Sequence, residues 1–306
     1  MAALKHIKSK IISVKKTATV TRAMEAVSAV KMRKSQERAL SGRAYAASAL
    51  SILERLSGVA EAGTHPLMKE RVSGKTCIVV VTSDKGLAGS LNSAVVRATE
   101  KEIARRGLTV TDVVMAAIGR RGGDYFASRG YTIRVRQENV SDGISLEDMR
   151  TLTDQVLMWH AEGEIASCIV IYTNFISTFE QEPTVRQVVP ITPSMMRALV
   201  SGIRPAKGRY APNTGEQEAR PAVYTIEPDA GSVLAELVPK LVNVAMLHTL
   251  LESKASEHSA RMVAMKSATD KARDVAQELT RVFNKSRQSA ITREVSEITS
   301  GIEALR

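Results

Sequence analysis

The chain has 306 residues, 44% of them hydrophobic but only 4% aromatic, with one tryptophan, Trp159, and two cysteines, Cys77 and Cys168. Such a length suggests about two domains and can bury a core unaided, while two cysteines make neither a disulfide framework nor a zinc cluster. With 43 basic and 32 acidic residues the net charge is +11, and packing is left to Ala, Val, Ile, Leu and Met, which suits long helices better than a β-sandwich.

No apolar run reaches the ~18–20 residues of a membrane span. Lys5, Lys8, Lys10, Lys15 and Lys16 interrupt the N-terminus where a signal peptide would be apolar. The expected class is soluble and cytosolic, or peripheral to a membrane. The charge is concentrated. Residues 1–58 hold 12 basic and 3 acidic groups, a net of +9, whereas residues 59–232 balance at 20 and 20.

All nine prolines lie between Pro66 and Pro239. A helix interior tolerates proline poorly, so the two proline-free ends read as long helices around a compact domain. In the first, Leu4, Ile7, Ile11, Val14 and Ala18 keep 3-4 spacing. Met24, Val27, Ala46, Ala49 and Leu53 continue an apolar stripe whose register drifts. A helix from about Leu4 to Ser57 would be roughly 80 Å long.

The middle alternates strands and helices. Thr76–Thr82, Val110–Ile118, Tyr131–Arg136 and Ser167–Phe175 read as buried strands, and Leu91–Arg106, Gly122–Ser128 and Leu146–Trp159 as amphipathic helices. Such alternation predicts a mostly parallel sheet covered by helices. Ile203–Ala222, rich in Pro, Gly and charge, reads as an exposed loop. In the last segment Leu234, Leu237, Leu241, Val244, His248, Leu251, Ala255, His258, Met262, Met265, Thr269, Ala272, Ala276, Leu279 and Phe283 hold a strict 3-4 alternation. That is a coiled-coil pattern, on the order of 100 Å long. Heptads at both ends predict an antiparallel pair made by the chain's own termini, too long for a domain of ~170 residues to enclose.

Thr82-Ser83-Asp84-Lys85-Gly86-Leu87-Ala88-Gly89-Ser90 follows a strand and precedes a helix, where phosphate loops sit. Its spacing is neither G-x-x-x-x-G-K-[ST] nor G-x-G-x-x-G, so a tight turn is the plainer reading. Gly119-Arg120-Arg121-Gly122-Gly123 reads the same way. The five histidines, His6, His65, His160, His248 and His258, have no metal-ligand spacing among themselves or with cysteine. No metal, cofactor or catalytic group is expected. The basic N-terminal helix could bind phosphates, but Tyr45 is the only aromatic there for base stacking. On the residues alone, a coiled-coil nucleic-acid-binding protein and an α/β nucleotide-binding enzyme stay open beside a helix packed among protein partners.

The sequence also resembles the gamma subunit of F-type ATP synthases, nearly end to end. Ile7-Lys8-Ser9 and Thr21–Lys34 carry the likeness near the N-terminus, Ser83–Asn92 in the middle, and Ile226-Glu227-Pro228-Asp229 before the last helix. Leu251–Met265, Asn284–Gln288, Ile291–Glu294 and Glu297-Ile298 carry it most specifically. Departures are Ala88, where the family commonly has cysteine, Ile302, where it has a small alanine, and Lys271, near which many members keep asparagine. No cysteine-bearing insert is visible, so the thiol switch of chloroplast-type members is expected to be absent.

The resemblance implies α/β plus all-α architecture: a long antiparallel coiled coil of N- and C-terminal helices (1–60 and 226–306) with an intervening Rossmann-like α/β domain (70–200) and an exposed loop (201–223). It implies a non-catalytic rotor, one copy per complex. Partners would be the alpha and beta subunits of the hexamer, the epsilon subunit and the c ring, without nucleic acid or direct membrane insertion. The place implied is peripheral, on the cytoplasmic face of a bacterial inner membrane. By position, the implied hexamer contacts are Met24, Lys31, Arg33, Arg261, Arg287, Gln288 and Thr292, and the implied foot contacts Asp84, Lys85, Gly86 and Gly89.

Overall fold

The computed structural model describes residues 2–41, 66–69, 71, 73–191, 227 and 229–304. Ala46, Ala49, Leu53 and the loop expected over 201–223 lie outside them. The chain divides into two compact units, one of Met1–Ala29 with Arg261–Arg306 and one of Val30–Ala260.

The larger unit is built on a five-stranded sheet. Its strands are β1 (Lys75–Val81), β2 (Val113–Ile118), β3 (Thr132–Gln137), β4 (Ile165–Phe175) and β5 (Gln181–Val189), in the order β3-β2-β1-β4-β5. The first four are parallel and β5 is antiparallel to β4. The connecting helices are α2 (Leu91–Arg105), α3 (Arg120–Ala127) and α4 (Leu146–Ala161). The expected parallel α/β layer is present. Its antiparallel edge strand was hidden by Glu182, Pro183, Arg186 and Gln187, which break any apolar run; proline and charge are tolerated at a sheet edge. Val110–Asp112, expected as strand, forms a capped 3-10 turn before β2.

β1 is covered on both faces, so six consecutive residues from Thr76 are buried and the strand reads as a continuous apolar run. Ile78 and Val80 pack with Val95, Ile103 and Phe126 of α2 and α3. Cys77, Val79 and Val81 face the other way, with Met149 and Leu152 of α4 and with Leu234, Val238, Leu241 and Ala245. Those last four belong to α5 (Ala230–Ala304), a 75-residue helix. Asp229 starts it: Ser232 N donates to Asp229 Oδ1 at 2.8 Å and Ser232 Oγ to Oδ2 at 2.6 Å. Pro239 lies inside this helix, within the heptad stretch expected from Leu234 onward. It forfeits one helical hydrogen bond, while Val238 and Leu241 beside it are wholly buried in the core.

From Val244 to Ser259 α5 is buried all round except for Leu247. In another departure from expectation, one 18-residue window of α5 does have the length and mean hydropathy, 1.4, of a membrane span, and 56% of that window is buried within the protein. An all-round apolar helix in a soluble core has that composition too.

The smaller unit holds the first 29 residues of the chain, from α1 (Ala2–Ser41), and α5 from Arg261 onward. Thr21 meets Thr269, while Lys15, Ala18 and Thr19 share a groove with Ala276, Gln277 and Thr280. Earlier residues of one helix meet later residues of the other, so the pair is antiparallel, as expected.

Candidate functional site

The seam of the two-helix unit is made of small side chains. On α1, Leu4, Ile7, Ile11, Val14 and Ala18 are half-buried and Thr21 and Ser28 are buried. On α5, Met265, Thr269, Ala272 and Ala276 are buried, and Leu279 and Phe283 half-buried. The heptad register on α1 therefore runs on through Thr21 and Ser28. It does not drift to Val27, which is 56% exposed. Polarity concealed these positions: a hydroxyl can sit in a seam if it is hydrogen-bonded. Thr21 Oγ1 and Thr269 Oγ1 lie 2.7 Å apart, each within reach of a carbonyl of its own helix, so that one donates across and the other back. Small seam residues let helix backbones approach closely, which favours a slender, stiff pair.

Beyond Ala290 the seam ends. Every residue from Ile291 to Ser300 is exposed. Ile291, Val295, Ile298 and Ile302, at 4-3-4 spacing, form an apolar stripe 52–63% exposed. Among the described residues nothing covers it. Of the expected hexamer contacts, Arg287, Gln288 and Thr292 are exposed on this same end of α5. Met24 is half-buried and Arg33 exposed on α1, and Arg261 is half-buried on α5. Lys31 is engaged within the larger unit.

There Lys31 Nζ lies 2.8 Å from Asp142 Oδ2, in the loop between β3 and α4. His258 Nε2 of α5 lies 2.9 Å from Asp142 Oδ1. Arg38 Nη1 donates to the Asp142 carbonyl at 2.7 Å, and Lys254 Nζ to the Val140 carbonyl at 3.0 Å. Hydrogen bonding from His258, and then from Lys31, holds the Asp142 carboxyl well below the usual carboxylate range despite partial burial. Sequence reasoning missed Asp142. The i,i+7 basic pair on α1 and the i,i+4 pair on α5 were the available signal, but nothing in sequence says which loop they meet.

The expected foot loop follows β1. Ser83 N donates to Asn92 Oδ1 at 2.9 Å, and Ser83 Oγ to the Lys85 carbonyl at 2.6 Å. The first amides of α3 are occupied by the same loop. Arg120 N donates to Asp84 Oδ1, Arg121 N to the Ser83 carbonyl, and Gly122 N to Thr82 Oγ1. A phosphate cradle at the start of α3 needs such amides free, so there the geometry agrees with a cross-braced turn. Gly86 is half-buried beside Arg121, while Lys85 and Gly89 are exposed. Leu87 is held at φ 64° and is 63% exposed. Among the described residues no cluster of three or more His, Cys, Asp or Glu could hold a metal.

A second polar cluster lies inside the larger unit, where Tyr172 of β4, Arg186 of β5, and His248 and Glu252 of α5 come together. Tyr172, His248 and Glu252 are buried, with His248 Nε2 3.6 Å from Glu252 Oε1 and the Arg186 guanidinium over the Tyr172 ring. Burial pushes the Glu252 carboxyl up to about 7 and the His248 imidazole down to about 3.

Comparison with known proteins settles the family. The ATP synthase family profile matches residues 3–305. The ATP synthase gamma chain of Geotalea daltonii is 37% identical over 306 residues and that of Cupriavidus necator 38% over 305, each covering 100% of both chains. The chain belongs to the ATP synthase gamma-chain family. As a gamma chain it is a non-catalytic central-stalk subunit of ATP synthase, peripheral to the membrane, and the basic N-terminal helix belongs to that assembly. The fold is also shared with chains of solved cryo-EM structures. A chain of the Euglena gracilis mitochondrial ATP synthase (OSCP/F1/c-ring) gives a TM-score of 0.65 at 15% identity, over 99% of this gamma chain and 95% of that one. A chain of the Tetrahymena thermophila central stalk and c ring gives 0.56 at 23% identity, over 81% and 99%.

Proposed function

We propose that this gamma chain is the turning element of its complex, present in one copy. Its helix pair stands inside a hexamer of alternating alpha and beta subunits, and its α/β unit serves as the foot against the epsilon subunit and the c ring. The place is the cytoplasmic face of a bacterial inner membrane. The apolar stripe Ile291–Val295–Ile298–Ile302 carries the reading. Four aliphatic side chains in heptad register on a helix face require a partner surface, and a ring of subunits around a shaft end supplies one on every side.

An asymmetric shaft biases each catalytic site toward a different conformation, so turning it drives the sites through binding, synthesis and release. Arg287, Gln288 and Thr292, exposed at the same end, are suited to hydrogen bonds with acidic or polar loops of beta; Met24, Arg33 and Arg261 are the further contacts. At the foot, Asp84, Lys85, Gly86 and Gly89 present the loop whose exposed tip is Leu87. Reconstitution with cognate alpha and beta subunits tests the reading. Stoichiometric binding of one chain and hydrolysis that depends on it are expected. Hydrolysis indifferent to the chain, with no binding, overturns the reading.

A further inference from the structure

We propose that Asp142 is a positioning residue for rotary coupling, clamping both long helices to the foot so that torque passes without slip. The proposal rests on the rotor reading above. Within the larger unit α5 is held by burial on all sides, from Val244 to Ser259, as part of the sheet's own core. The stretch of α1 in that unit is held differently. Among the residues of that stretch whose burial is described, only Met32 and Ser35 are buried, and Ser35 Oγ has no hydrogen-bond partner. Apolar contact is non-directional, so two small contacts resist rotation of a helix about its axis weakly.

The polar contacts supply direction. Lys31 and Arg38, two turns apart on one face of α1, both end on Asp142, one on its carboxylate and one on its carbonyl. The other carboxylate oxygen takes His258, and Lys254 one turn away reaches the Val140 carbonyl of the same loop. One residue thus bridges α1 and α5 through charge-assisted bonds, which are stronger and more directional than neutral ones. Ser145, three residues on, caps α4 through a reciprocal pair with Asp148 and anchors the loop to the sheet layer. The bridge is therefore seated on a fixed element. A twisting load on α1 meets Asp142 before it can rotate that helix against α5 and the foot.

The test uses the complete complex in sealed inverted membrane vesicles, with ATP hydrolysis and ATP-driven ion pumping measured on one preparation. Asp142→Ala removes the carboxylate and leaves the carbonyl for Arg38. The expected result is near-normal hydrolysis with pumping per ATP lowered about threefold or more. Asp142→Glu, which restores the charge, should recover part of the coupling. His258→Gln, which spares the loop, should show a milder loss and carries the test if Asp142→Ala does not fold. Pumping per ATP at the wild-type ratio in the folded variants overturns the proposal. So does a proportional fall of hydrolysis and pumping that Asp142→Glu does not rescue, since a merely structural role predicts that. Failure of the wild-type chain to assemble counts instead against the rotor reading.

Discussion

Thr21 Oγ1 and Thr269 Oγ1 meet at 2.7 Å in the buried seam of the two-helix unit, 248 residues apart in sequence. One hydroxyl donates across while the other donates to its own helix, Thr21 toward the Thr17 carbonyl at 3.0 Å or Thr269 toward the Met265 carbonyl at 2.8 Å. Removing one partner should cost about 1 kcal/mol, because the survivor loses its cross-helix bond in a desolvated place. Thr21→Val with Thr269→Val should cost less than the sum of the singles, since two matched apolar groups leave nothing unsatisfied. Urea unfolding of the four proteins of this double-mutant cycle measures the coupling; strict additivity would show that the pair does not interact.

Legibility in the sequence followed polarity. The heptads of α5 and the buried strands β1, β2 and β4 were plain because their inward residues are aliphatic. Thr21 and Ser28 occupy the same kind of seam position and were passed over for Met24 and Val27. Hydropathy cannot distinguish a satisfied buried hydroxyl from a solvated one. Edge strand β5 was lost because an edge tolerates Pro183 and charge. The apolar run of α5 has the composition of a membrane span, and only the sheet packed against it shows that it is core. The resemblance pointed to the foot loop and to the exposed end of α5. Asp142 could not be read, because its partners lie on two segments, α1 and α5, each more than 100 residues away.

Glu252 and His248 set a pH signature. A carboxyl pushed up to about 7 keeps its proton in the folded state between pH 4.5 and 7, where the unfolded chain has lost it, so its contribution falls as pH rises through that window. His248, pushed down to about 3, stays neutral when folded, and its contribution is lost as pH falls from 6.5 toward 3. The two opposed slopes offset between pH 4.5 and 6.5. Glu252→Gln removes one of them, so the variant should gain on wild type by on the order of 2–3 kcal/mol between pH 4.5 and 8. Urea unfolding at several pH values reads this directly; parallel profiles for the two proteins would contradict it.

Two glycines in the foot loops should differ in their tolerance of alanine. Gly119 has φ 91°, and a Cβ there would lie 2.0 Å from the Thr82 carbonyl oxygen. Gly89 has φ 57° with open space around it. Gly119→Ala should destabilise by about 3 kcal/mol or more, combining backbone strain with a clash against main chain, and Gly89→Ala by about 1 kcal/mol from strain alone. Thermal unfolding of both variants checks the order.

The apolar stripe at the end of α5 should matter to assembly and not to the folded chain. Replacing Ile291, Val295 and Ile298 together by Ser should change the stability of the isolated chain by no more than about 0.5 kcal/mol per site, because the side chains are already exposed. If a partner buries them, each contributes up to roughly 1.5–3 kcal/mol to binding. Titration of alpha–beta hexamer with the triple variant should show affinity reduced by several orders of magnitude. Unchanged affinity would place the partner surface elsewhere.

Rotation itself is the most direct measurement. Cys77 and Cys168 are free and fully buried, so Phe179→Cys, at a position 82% exposed in the β4–β5 turn, offers a single accessible thiol for a bead or fluorophore. With the cognate alpha–beta hexamer fixed to a surface and ATP supplied, the label should turn in one direction and pause at three angles per revolution. Sustained ATP turnover in single complexes that hold the labelled chain, with the label stationary, would contradict the account.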